Sequence, residues 1–198
     1  MSVDRPARLT DGASLTNGVG AGLTGGPATG LITRQHQKGD AASLAVYSAD
    51  EAYRYRLERV WDTAAGRALF VMLNPSTATE TQNDPTVERC ERRARALGFG
   101  SFAVGNIFAY RATDPKVMRG VGDPIGPGND AAILEMASEA DRIICAWGTH
   151  GAHLQRGAAV GQLLRATGRE LFHLGLSQAG HPKHPLYIGY ETQPVLWD

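Results

Sequence analysis

The chain has 198 residues, enough for one domain and a tail. Charged residues make up 20 % and hydrophobic residues 42 %, the balance of a globular protein without a membrane span. Lysine plus arginine equals aspartate plus glutamate at 20 each, which excludes a global electrostatic pull toward nucleic acid or an anionic surface and leaves only a local basic patch for such a role.

Residues 1–40 scatter Gly, Thr, Ala and Asn without an apolar period, too little to offset the entropy of ordering, and read as a disordered, Gly-rich tail before a single domain over 41–198. Gly20-Ala21-Gly22-Leu23-Thr24-Gly25 matches the dinucleotide fingerprint in form, but no strand pattern precedes it and no amphipathic helix follows, so composition accounts for it. The opening residues lack the charged-then-apolar order of a secretory signal, and Cys90 and Cys145 fit no ligand or redox spacing. Two buried thiols in a reducing cytoplasm are the expectation.

Ser43 to Tyr47 and Tyr53 to Val60 read as the two strands of an N-terminal β-hairpin, Tyr53, Tyr55 and Leu57 alternating against Arg54, Arg56 and Glu58. From Arg67 onward strands and helices alternate, the signature of a mainly parallel sheet. Leu69 to Leu73 is its first buried strand and stops at Asn74-Pro75-Ser76. Asp84-Pro85 supplies a helix cap and a first-turn proline, Gly98 the stop, and Val87, Cys90, Ala94 and Leu97 the apolar face between them. Phe102 to Val104 leads into Gly105-Asn106 as the second strand, and Asp114-Pro115 starts a short helical turn. Asn129 or Asp130 caps a helix running through Ala140. Arg142 to Trp147 is the third strand, ending at Gly148, and His150 to Thr167 the next helix, with Leu154, Val160, Leu163 and Leu164 as its stripe. Leu171 to Leu174 is the fourth strand, leading into Ser177 to Tyr187 with its two His-Pro pairs; the remaining residues extend and pack Trp197 on the domain.

Ligands of open α/β sheets sit beyond the carboxyl ends of the strands, so Asn74, Asn106, Gly148 and His181 are expected along one rim. Asn-Pro after the first strand, Asn after the second, Trp-Gly after the third, and His-Pro followed by Pro-Leu after the fourth resemble, in that order, the uracil-DNA glycosylase superfamily. Met72-Leu73-Asn74-Pro75-Ser76 resembles its first motif, with Ser76 where a glycine is usual. His181-Pro182-Lys183-His184-Pro185-Leu186 resembles its last, with one extra residue. Over residues 43–197 the chain is more similar to a bacterial family of unknown function with Asn-Pro-Ser, Asn-Asp-Pro-Thr, Asn-Xaa-Phe-Ala-Tyr-Arg and Gly-His-Pro-Xaa-His-Pro-Leu-Tyr motifs. The glycosylase resemblance implies a three-layer α/β/α sandwich with a mainly parallel central sheet of about four strands, and hydrolysis of an N-glycosidic bond to a nucleobase in DNA or a nucleotide.

That chemistry needs a positioned water for the sugar and a donor for the departing base. Asn74 can orient the water through its carbonyl oxygen, and His181 can donate to the base as negative charge collects on it. The resemblance makes Asn106 the reader of the base edge; Phe108 or Tyr110 offers a stacking face. Ser76, Gly148 and His184 complete the substrate wall, Lys183 and Arg111 are the candidate phosphate contacts, and no cofactor or metal is called for. A non-catalytic nucleotide or nucleic-acid sensor would use the same pocket.

Each residue also has a purely structural role open to it. Asn74-Pro75-Ser76 makes an Asx turn, Asn106 satisfies loop backbone, Trp147 fills the core and Asp84 caps its helix. His150 and His153 lack a third metal ligand at useful spacing. Arg89, Arg92, Arg93 and Arg95 form either a patch for phosphates or a solvated helix face.

Overall fold

The computed structural model describes residues 30–198, so most of the tail, including Gly20 to Gly25, lies outside the described residues. Within the stretch expected to be tail through residue 40, Ile32–Lys38 is strand β1, a polar and largely exposed strand. It pairs with β2 (Ala41–Tyr47), which turns into β3 (Arg54–Val60). Strand β4 (Arg67–Met72) precedes helix α1 (Pro85–Ala96), and β5 (Ser101–Asn106) precedes the short α2 (Pro115–Gly120) and α3 (Asn129–Glu139). Then come β6 (Arg142–Cys145), α4 (Arg156–Arg165), β7 (Leu171–His173) and β8 (Val195–Leu196).

The mainly parallel, four-stranded sheet of a three-layer sandwich is overturned. One eight-stranded mixed sheet runs in the order β1-β2-β3-β5-β4-β6-β7-β8. Pairs β1/β2, β2/β3, β3/β5 and β7/β8 are antiparallel, and only β5/β4, β4/β6 and β6/β7 are parallel. The hairpin is no appendage. Strand β3 buries Tyr55, Leu57 and Arg59, a face that needs cover, and it completes its ladder on the free edge of β5 with Leu57 opposite Val104.

Alternation along the buried strands divides the core between the two faces. Phe70, Met72, Phe102, Val104 and Ile144 pack with Val87, Cys90 and Ala94 of α1. Leu69, Val71, Ala103, Ile143 and Cys145 pack on the other side with Ile133, Met136, Val160 and Leu164 of α3 and α4. Each fully buried Leu, Ile or Phe of these clusters contributes roughly 1.5–3 kcal/mol of transfer free energy. Both cysteines are buried free thiols whose ionisation burial pushes up.

Helix α1 forms as its signals dictate. Asp84 accepts from the amides of Thr86 and Val87 at 3.0 and 2.8 Å, and Gly98 leaves it at φ +81°. Two helical expectations need correction. Helix α3 begins after the left-handed Gly128 rather than at a side-chain cap: Asn129 turns inward and Asp130 pairs with Arg156. The helix expected over His150 to Thr167 is broken. Residues Thr149–Gln155 form a tight 3-10 segment in which His153 is extended and Leu154 and Gln155 are left-handed; α4 starts only at Arg156. The cause is Trp147, 1 % exposed: a Cβ on Gly151 or Gly157 would come within 2.2 or 2.6 Å of its indole, so the chain wraps the ring through glycines. Leu154 thereby leaves the buried stripe and is 60 % exposed. Trp197 closes the other side of Trp147 edge-on, the ring centroids 5.5 Å apart. Among the described residues no helix is long and apolar enough to cross a membrane.

Candidate functional site at the strand ends

Strands β4, β5 and β6 are neighbours, with Met72 level with Asn106 and Val71 level with Cys145. The residues that follow therefore gather at one edge of the sheet. Asn106 lies two residues beyond Val104 on the α1 face and is 2 % exposed. Its side-chain carbonyl oxygen has no hydrogen-bond partner among the described residues, a deficit that costs about 1–3 kcal/mol. Asn74 is oriented by its own amide: Nδ2 donates to the carbonyls of Pro75 at 3.0 Å and Ala112 at 2.7 Å, while the Ala112 amide donates to Pro75 at 2.9 Å. An Asx turn, in which Oδ1 would accept a backbone amide, is not formed among the described residues; the two bonds of Nδ2 fix the direction of Oδ1 instead.

Gly148, at φ +72°, lets the third strand end meet the histidine loop. Its amide donates to the Pro182 carbonyl at 2.7 Å, and a Cβ there would lie 3.6 Å from that of His184. Burial pushes the His184 imidazole down to about 4, Asp84 pulling it up and His150 adding to the fall. Its Nδ1 accepts from the Leu186 amide at 3.4 Å, so the neutral ring carries its proton on Nε2. The His181 ring makes no hydrogen bond among the described residues; the residue holds its loop through its backbone, Ser177 Oγ accepting from its amide at 3.1 Å. His184, not His181, is the histidine seated against the Gly148 strand end.

The loop from Asn74 to Asp84 is pinned from below by two arginines of β3. Arg54 donates to the Ala78 carbonyl at 2.6 Å, and Arg59 to the Thr79 carbonyl at 2.6 Å and to Asn83 at 3.1 Å. Ser43 and Tyr47 hold Glu80 from the same side. Arg54 is 2 % exposed, and burial draws its guanidinium down to about 10. Tyr47 and Asp84 counter that fall, while Arg111 and Arg59 deepen it by repulsion. Asp84 is engaged at both oxygens, Oδ1 as the helix cap and Oδ2 by the Ala78 amide at 3.4 Å. Sequence reasoning missed Arg54, and nothing in the local pattern signals it.

Ser76, Tyr110 and Arg111 do come together, lining an open pocket of about 330 Å³ with Glu51, Ala52, Ala112 and Thr113. Tyr110 packs edge-on against Tyr53, and Arg111 lies over Tyr47 at 5.2 Å with Glu51 3.9 Å away. Phe108 is removed from the set of possible stacking residues. It is fully buried in the α3 and α4 cluster with its ring on His153, because the chain folds over the sheet end after Asn106. Lys183 is exposed, its stem along Gly175. His150 meets Arg119 while His153 meets Phe108, so the two histidines do not converge.

The basic run of α1 is engaged within the chain, Arg93 buried and Arg92 exposed. Arg93 donates to the carbonyls of Ile188, Gly189, Tyr190 and Thr192, and Arg89 to that of Ile188. Arg92 pairs with Glu88, and Arg95 with Asp40 and Glu91.

No curated protein and no solved structure matches the chain. One family model matches residues 54–186, a span that opens at Arg54 and encloses Asn74, Asn106, Gly148 and His184. The chain belongs to that family, described as a protein of unknown function (DUF1643).

Proposed function

We propose that this protein binds a nucleobase-bearing ligand at the strand-end site and hydrolyses its N-glycosidic bond. The observation that carries the reading is Asn106: a buried amide with an unpartnered carbonyl at the end of β5. It offers a donor and an acceptor on one planar group, as the edge of a pyrimidine or related ring requires. Asn74, its NH2 tied to two carbonyls, keeps Oδ1 for a water aimed at the anomeric carbon. The base departs with the electron pair of the glycosidic bond, the water oxygen bonds to the sugar, and the released proton passes to the base or solvent. His184 takes the donor role expected of His181, since a neutral imidazole protonated on Nε2 donates to the charge growing on the base.

A second reading, a non-catalytic nucleotide-binding protein, is favoured by Asp84, the acid of the loop that follows Asn74, whose two oxygens are both engaged by backbone amides and so are not free to act as a base. Chromatography of reactions with nucleosides, nucleotides and oligonucleotides carrying normal and modified bases separates the two. Released base, reduced at least about 100-fold by Asn74→Ala and by His184→Ala, supports hydrolysis. Saturable binding without release supports the second reading, and release untouched by both substitutions overturns the first.

A further inference from the structure

Resting on the reading of a nucleobase ligand, we infer that the open pocket between the Asn74 to Ser76 turn and the 110–113 segment takes a phosphate monoester, so that the ligand is a mononucleotide rather than a DNA strand. The pocket adjoins the base site directly. Ala112, which lines it, accepts the Asn74 amide at 2.7 Å, and Ser76 is two residues from Asn74. Its lining residues include Ser76, Tyr110, Thr113 and Arg111, whose side chains supply the hydroxyl and guanidinium donors that a phosphate takes.

The charge behind that wall is unbalanced. Arg54 sits 2 % exposed, and the one hydrogen bond of its guanidinium among the described residues goes to a neutral carbonyl. Arg111 lies near enough to Arg54 to disfavour the charge on Arg54. At the rim the Glu51 carboxylate pairs with Arg34 and stands 3.9 Å from Arg111, while one nitrogen of Arg111 donates to the Glu51 carbonyl at 3.1 Å and its remaining donors stay for a phosphate. A buried guanidinium without an ion partner is costly, and a bound dianion in the adjoining pocket offsets that cost at the site where it is used.

A polymer is disfavoured because the surface that would hold its flanking phosphates is occupied. The arginines of α1 are bonded to carbonyls or carboxylates of the same chain, and net charge is zero. Duplex binding rests on several phosphate neutralisations, whereas one phosphate needs one pocket.

Calorimetric titrations of the full chain test this with common nucleosides, their 5′-monophosphates, inorganic phosphate, and short single- and double-stranded oligonucleotides. The expected result is a monophosphate bound at least about tenfold tighter than its nucleoside, competed by inorganic phosphate. Arg111→Gln collapses that ratio toward one, and Ser76→Ala reduces it less. Equal affinity for nucleoside and monophosphate overturns the inference while leaving the base reading standing, as does tighter binding of an oligonucleotide. Phosphate-dependent binding without base release leaves the inference standing and removes hydrolysis. Absence of all binding removes both. Competition by inorganic phosphate is read on the wild-type chain, so the outcome does not depend on a variant folding.

Discussion

Two groups of arginines occupy the same face of the sheet and do different work. Arg93, 1 % exposed, puts its two terminal nitrogens onto four carbonyls of the 188–192 segment, with Arg89 beside it on the Tyr190 ring at 5.0 Å. Arg54, 2 % exposed, makes one side-chain hydrogen bond among the described residues and faces two other guanidiniums. Equal burial thus hides unequal satisfaction. The first group is a hook that fastens the C-terminal segment to α1; the second holds a loop while keeping charge in reserve beside a pocket. A count of basic residues along α1 suggests a phosphate-binding face, whereas the hydrogen bonds engage those arginines within the chain.

The comparison breaks most visibly in stability. Arg93→Met removes its bonds to four carbonyls, leaving those of Tyr190 and Thr192 without a donor while Ile188 keeps Arg89 and Gly189 keeps the Thr192 amide, and releases the segment that follows the histidine loop, at an expected cost of about 3 kcal/mol in urea unfolding. Arg54→Met removes a poorly satisfied buried charge, and apolar replacement of such groups is often neutral, so a change below about 1 kcal/mol is expected. Comparable losses for the two would make Arg54 a hook like Arg93 and erase the distinction.

His184 sharpens the comparison through pH. Its folded-state value is depressed to about 4 from the ordinary 6.5, so above the latter both folded and unfolded states are neutral there and nothing is at stake. As pH falls from the ordinary value toward the depressed one, the unfolded chain takes up a proton that the folded chain refuses, and stability declines; below that window the loss levels off. The share due to His184 is roughly 2–3 kcal/mol, after a discount for its partial exposure. It is read as the difference between wild type and His184→Gln in urea midpoints from neutral pH down. Parallel curves would mean that the imidazole is already solvated and not held as a neutral donor against Gly148.

How much of this was legible in sequence follows from how local each cause is. Helix α1 was readable because Asp84, Pro85 and Gly98 act within a few residues of themselves. The break before α4 was not, since the left-handed Leu154 and Gln155 arise from a tryptophan that Gly151 and Gly157 must pass. Sheet order was misread because β3 finds its partner β5 more than 40 residues away, and no local period announces which edge is free. Polar β1 carries no apolar period and was absorbed into the tail. At the site, the strand-end rule located Asn74, Asn106 and Gly148, whose positions depend only on where buried strands stop. It failed for Phe108, which lies past the bend. It failed also for Arg54, placed by alternation on the exposed side. An irregularity pairs Val46 with Arg56 but Tyr47 with Arg54, so Arg54 and Tyr55 are buried in succession.

The smallest effect is expected where the sequence looked most like a nucleic-acid surface. Arg92 is the exposed member of the α1 run, and its pair with Glu88 at 2.9 Å is an ordinary solvent-screened contact one helical turn apart. Arg92→Ala should leave the urea midpoint and mononucleotide affinity without resolvable change, and should not alter retention on single- or double-stranded DNA. The last measurement has the most leverage for its size. A salt-dependent loss of DNA retention would show that α1 meets phosphates despite its internal bonds. The two arginine groups would then form one surface, and the pocket proposed for a mononucleotide would become the entrance to a strand-binding groove.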